Sequence, residues 1–126
     1  TDQTKGRDAM YVTFHEYTHF LVRNQTSLVY PTWFDEGLAM QVDHRAAYDS
    51  DALTAFHNRT DLVSPSLTSL SSSDFFAAGD QGKYHYAYSK CLLQHWISAD
   101  PNWPAKLAEL DSVPFRAIFE GAEACN

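Results

Sequence analysis

From Gly6 to Arg23 the apolar side chains recur at helical spacing. Met10, Tyr11, Phe14, Tyr17, Thr18, Leu21 and Val22 fall close to a 3.6-residue period, the spacing of a helix. No clear strand-hairpin series competes with it. Further helices are expected over 33–47, 51–59 and 83–99, the last rich in aromatics and leucine. Two short ones are expected over 105–110 and 113–122, beyond Pro101 and Pro104. Residues 24–32 are polar and turn-like, Pro31 blocks helix continuation there, and a short extended piece from Ser27 to Tyr30 fits between. Residues 62–73 hold Pro65 and six serines and read as a surface loop. Ser73 or Asp74 is placed to cap a turn through Phe75 and Phe76, and 79–82 reads as a break. The expected architecture is mainly α.

A chain of 126 residues is one domain's worth of sequence. Nine Lys and Arg stand against sixteen Asp and Glu, a net charge of −7. That balance argues against nucleic acid or an anionic membrane as partner, since both require a basic footprint. No apolar run approaches the roughly 20 residues of a membrane span. Cys91 and Cys125 are too far apart in sequence for a zinc ribbon; they either form one disulfide or remain two thiols. Six histidines are many for this length, and histidine is the commonest metal ligand.

Two of these histidines carry the chemistry. His15-Glu16-Tyr17-Thr18-His19 is an HExxH motif inside the first expected helix. Residues i and i+4 lie one turn apart on one face, so both imidazoles can converge on one metal. Glu16 lies beside the first ligand and can reach a water without itself binding the metal. A third protein ligand is needed to leave one open position on tetrahedral zinc. Glu36 follows His19 by 17 positions in Trp33-Phe34-Asp35-Glu36-Gly37-Leu38-Ala39. A helix, a short loop and an antiparallel second helix can return it to the metal, with Gly37 permitting close backbone approach. Asp35 and Asp43 are candidates to hold the second nitrogens of the imidazoles, Asp35 favoured by its place next to Glu36. Trp33 and Phe34 read as core anchors. His44 is expected at the surface or half-buried and His57 exposed. His95 is expected to pack in the core, and His85, three residues before Tyr88, there or at the cleft.

The pair HEYTH and WFDEGLA resembles the gluzincin metallopeptidases, in particular the peptidase MA-like domains of the MA clan and, more distantly, the M1 aminopeptidases. In those families the second segment reads W-[FL]-x-E-G-[FL]-A and its glutamate is the third zinc ligand, which matches Glu36. The resemblance implies a zincin-like helical core, bound Zn2+, hydrolysis of peptide bonds in peptides or proteins, and Glu16 as the general base. Tyr88-Ser89-Lys90-Cys91 is similar to the family's Y-x-K-G stretch, with Cys91 in place of glycine. It implies that Tyr88 stabilises the oxyanion, a role for which Tyr84 and Tyr86 are rivals.

The sequence also departs from the family. Only 14 residues precede His15, which leaves no room for the substrate-aligning β-sheet that gluzincins carry upstream. The aminopeptidase signature G-x-M-x-N is missing for the same reason. The expectation is a single catalytic core or subdomain spanning 1–126, largely without its upstream sheet and belonging to a longer parent chain. The alternative is a non-catalytic zinc-binding module or remnant. The start at Thr1 and the acidic balance fit an exported protein, periplasmic or extracellular.

Overall fold

The computed structural model describes residues 2–25, 30–107, 109, 113–121 and 123–126, and the side chains of these except 2–5, 7 and 20–25. Among the described residues every regular element is helical. In chain order these are α1 (Asp2–Gln25), α2 (Thr32–Ala39), α3 (Ser50–His57), α4 (Leu67–Ser71), α5 (Gly79–Ala99), α6 (Trp103–Lys106) and α7 (Phe115–Gly121). Single 3-10 turns lie at Met40–Val42, Ala46–Tyr48, Ser73–Phe76 and Glu123–Cys125. The chain is mainly α, as its periodicity implies.

The core gathers on α5. Leu92 and Leu93 are fully buried there, with Trp33 and Phe34 of α2 packed opposite. The Phe34 ring lies 5.3 Å from Trp96 and 5.1 Å from Phe115, and Trp33 lies 6.3 Å from Phe119. Each buried aromatic contributes roughly 4 kcal/mol or more of gross transfer energy, most of it offset by lost chain entropy. Trp33 and Phe34 are therefore core anchors, and they fix α2 against α5. At Gly37 the two helices come so close that an added Cβ would stand 2.5 Å from the Ser89 carbonyl oxygen and 2.7 Å from Leu93 Cδ2. Only glycine fits that approach.

Several segments differ from expectation. The helix expected over 33–47 stops at Ala39 and continues as two 3-10 turns, because Asp43 leaves helical geometry (φ −102°, ψ 104°) to enter a buried pocket. The serine-rich loop contains α4. Its Ser66 side chain accepts from the Ser69 backbone N–H while Ser69 reaches back to the Ser66 N–H, so the serines cap a helix as well as punctuate a loop. Ser72, rather than Ser73 or Asp74, caps the turn through Phe75 and Phe76. The break expected at 79–82 is the first turn of α5. It opens on Gly79 at φ +66°, the left-handed conformation that favours glycine. The two C-terminal helices are shorter than expected, at Trp103–Lys106 and Phe115–Gly121. Of the extended piece at Ser27–Tyr30, residues 27–29 lie outside the described residues, and Tyr30 is non-helical.

Candidate metal centre

His15 and His19 project from one face of α1, their ring centroids 4.8 Å apart. Both are buried, although Phe14, Glu16 and Tyr17 around them are exposed. The burial comes from α2, which brings Glu36 between them. Its carboxylate spans the pair, Oε2 3.0 Å from His15 Nε2 and Oε1 3.3 Å from His19 Nε2. The two Nε2 atoms are 3.1 Å apart.

These separations suit a metal. Tetrahedral zinc with bonds of about 2.0–2.1 Å keeps nitrogen and oxygen ligands roughly 3.3 Å from one another. The supporting groups suit it as well. His19 Nδ1 donates to Asp35 Oδ1 at 2.9 Å. His15 Nδ1 lies 3.4 Å from Asp43 Oδ2, an ion-pair separation rather than a full hydrogen bond. A carboxylate on each Nδ1 directs each Nε2 toward the centre. Asp35 and Asp43, both named from sequence as candidates, are both at hand.

The electrostatics follow from the same contacts. Burial alone would lower the His15 pKa, but Asp43 and Glu36 outweigh it and push it up to about 9. Burial likewise opposes the rise at His19, which Asp35 and Glu36 push up to about 10. Burial would raise Glu36, and the two imidazoles hold it down to about 2. Carboxylates thus draw positive charge to both imidazoles. Protons on the nitrogens supply it; a divalent cation supplies it equally and leaves both rings neutral.

Asp43 is itself held from two sides. The Arg45 guanidinium donates to both its oxygens, with Nε 2.9 Å from Oδ1 and 3.2 Å from Oδ2. Lys90 Nζ donates to its backbone carbonyl at 2.7 Å. Arg45 also stacks over the Tyr48 ring at 4.8 Å. Burial would raise the Asp43 carboxyl, but His15 and Arg45 hold it well below the usual carboxylate range. Glu16 lies on the open side. It is exposed, and a carboxylate oxygen lies within 4.8 Å of ligand atoms of His15 and His19.

The tyrosine expected at the oxyanion is placed elsewhere. Tyr88 is buried on the opposite side of α5, where its hydroxyl donates to Asn126 Oδ1 at 2.8 Å. Tyr84 shares that face one turn earlier, bonded to His57 Nδ1 at 2.6 Å. Tyr86, two residues from each, turns toward the centre. Its ring is 6.4 Å from His15 and 5.7 Å from Tyr48. Burial, then the negative charge of Glu36 and Glu16, raises its pKa, so the hydroxyl keeps its proton. The usable signal was helical phase: Tyr86 shares a face with Lys90, whereas Tyr84 and Tyr88 share another.

The remaining histidines are structural or peripheral. His57, expected exposed, is half-buried; its Nε2 donates to the Cys125 carbonyl, so its Nδ1 accepts from Tyr84. His85 is buried, with Nδ1 donating to the Phe75 carbonyl at 3.0 Å and Nε2 accepting from Gln81. His44 is exposed beside Tyr11. His95, expected in the core, is exposed. A cavity of about 550 Å³ lies beside Tyr48, His57, Lys90 and Cys91, and its lining includes none of His15, His19 or Glu36. The candidate centre is defined by its ligand geometry, not by that cavity.

Compared with protein-family models, curated proteins and solved structures, the chain matches none. Among the described residues no helix is long and apolar enough to cross a membrane.

Proposed function

We propose that the chain is the catalytic core of a zinc-dependent metallopeptidase of gluzincin type, a zincin-like helical unit. The observation that carries this reading is the spacing of three donor atoms. His15 Nε2, His19 Nε2 and the Glu36 carboxylate stand 3.0–3.3 Å apart, with an exposed Glu16 carboxylate alongside. A purely structural zinc site has no need of that fourth group.

His15, His19 and Glu36 would hold the metal. When bound, zinc acidifies water toward a pKa of about 7 and polarises the scissile carbonyl. The chain's own residues do the rest. Glu16 takes the proton from the attacking water and returns it to the leaving amine. Tyr86, kept protonated by burial and neighbouring negative charge, donates its O–H to the oxyanion as it develops. Asp35 and Asp43 hold the imidazoles in one orientation. Tyr86 takes the role that the resemblance assigned to Tyr88.

The test is digestion of a complex peptide mixture by the zinc-loaded chain, read by mass spectrometry against Glu16→Gln. Cuts made by the parent chain and reduced about 10²- to 10⁴-fold in the variant, with zinc retained in both, are the expected result. Identical patterns from parent and variant would refute the role of Glu16.

A second reading is favoured by one observation. Met10, Phe14 and Tyr17 share one face of α1 and are 45%, 47% and 56% exposed, an apolar stripe on the helix that carries both histidines. On this reading the chain is a zinc module whose substrate grip comes from further parent-chain segments. It requires stoichiometric zinc with no cuts in the same digest.

A further inference from the structure

We propose that Cys91, His95 and Cys125 form a second metal site that exists only when the disulfide between the two cysteines is reduced. In the structure Cys91 of α5 is bonded to Cys125 of the C-terminal 3-10 turn. His95 follows Cys91 by one helical turn and therefore lies on the same face of α5. One ligand atom from each of the three residues lies within 4.8 Å of the other two.

In the oxidised form the sulfurs are committed to each other and offer no thiolate. Reduction changes the donor set. A dithiol reductant transfers two electrons and two protons to the S–S bond, giving two thiols, and closes its own disulfide. A divalent metal then displaces both thiol protons and takes two thiolates and one imidazole. Tetrahedral zinc holds two thiolates roughly 3.8 Å apart. The cysteine Cα atoms, 5.8 Å apart, allow that by side-chain rotation.

Contacts other than the disulfide keep the two sulfurs together. The His57 imidazole donates to the Cys125 carbonyl at 2.6 Å, and Tyr88 donates to the Asn126 side chain at 2.8 Å. These bonds tie the C-terminal turn to α3 and α5 without using the S–S bond. Cys125 is buried, Cys91 half-buried and His95 exposed, so a water can complete the coordination from the His95 side. Two thiolates and one nitrogen favour softer ions than the two nitrogens and one oxygen of the first centre. The C-terminal turn is thus held covalently when oxidised and by a metal when reduced.

The test is titration of the full chain with Co2+, with and without a phosphine reductant, read by absorption. The reduced chain should take up one more Co2+ than the oxidised chain and show a thiolate-to-cobalt charge-transfer band. Cys91→Ser and Cys125→Ser should lose the band. His95→Ala leaves the disulfide intact in the oxidised chain, and after reduction should bind the second Co2+ roughly tenfold or more weakly. Three outcomes overturn the proposal: equal Co2+ uptake with no such band, a His95→Ala chain as tight as the parent, or helical circular dichroism lost on reduction and not regained with Co2+. The band comes from sulfur alone, so failure of the first centre to bind metal leaves this test intact.

Discussion

Tyr86 and Tyr88 are two residues apart on α5 and meet different surroundings. Tyr86 faces His15, Tyr48 and the charge of Glu36 and Glu16. Tyr88 faces Phe119, His57 and the C-terminal Asn126. A step of two residues turns a helix by about 200°, so one phenol faces the candidate centre and the other bonds Asn126 beside the Glu123–Cys125 turn. Residue type and motif position do not separate these roles; helical phase and the packed neighbours do.

The sharpest way to break the comparison is removal of each hydroxyl. Tyr86→Phe should lower kcat about 10²- to 10³-fold with zinc still bound, as for loss of one oxyanion donor. Tyr88→Phe should leave kcat close to that of the parent. Its effect should appear in thermal melts, as the loss of one buried hydrogen bond worth about 0.5–1.5 kcal/mol. Reversal of the two kinetic results would return the role to Tyr88.

The two carboxylates behind the imidazoles extend the comparison from tyrosines to aspartates. Asp35→Asn should weaken zinc binding about 10- to 100-fold by competition with a chelator, with little change in melting. Asp43→Asn should weaken zinc binding and also destabilise the fold, because Arg45 then loses its buried ionic partner. Equal melting of the two variants would mean that Asp43 does no more than Asp35.

A smaller effect separates metal-free from loaded protein. The His15 and His19 pKa values are raised in the fold, from 6.5 to about 9 and about 10. Their contribution to metal-free stability is therefore complete below about pH 6.5 and lost as the pH rises through 9 to 10. Zinc requires neutral rings, so its affinity rises over the same interval. The gap in Tm between loaded and chelator-treated protein should widen with pH. A gap that stays constant would show that the imidazoles do not carry these protons.

Much of this arrangement was legible in the chain. HExxH could be placed because i and i+4 define one helix face, and Glu36 because a helix–loop–helix returns it. The structure brings those residues together. Asp43 was harder to place, because its burial depends on a helix ending at Ala39, where periodicity alone continued to 47. His57 and His95 were misplaced for a related reason. One is covered and the other left open by where the C-terminal turn docks, a long-range contact with no local sequence signal. Tyr88 was preferred over Tyr86 by motif similarity, whereas the phase of α5 relative to α2 decides which tyrosine meets Glu36.

That phase is set at Gly37. The α2 backbone there packs against the Ser89 carbonyl and the fully buried Leu93 side chain of α5, so the approach of Glu36 to Tyr86 is set by a close, glycine-dependent contact. The two helices act as one stiff part across the candidate centre. On the proposed function, substrate preference would then be changed at the rim, through the exposed Phe14 or the half-buried Tyr48, rather than through the seam between α2 and α5.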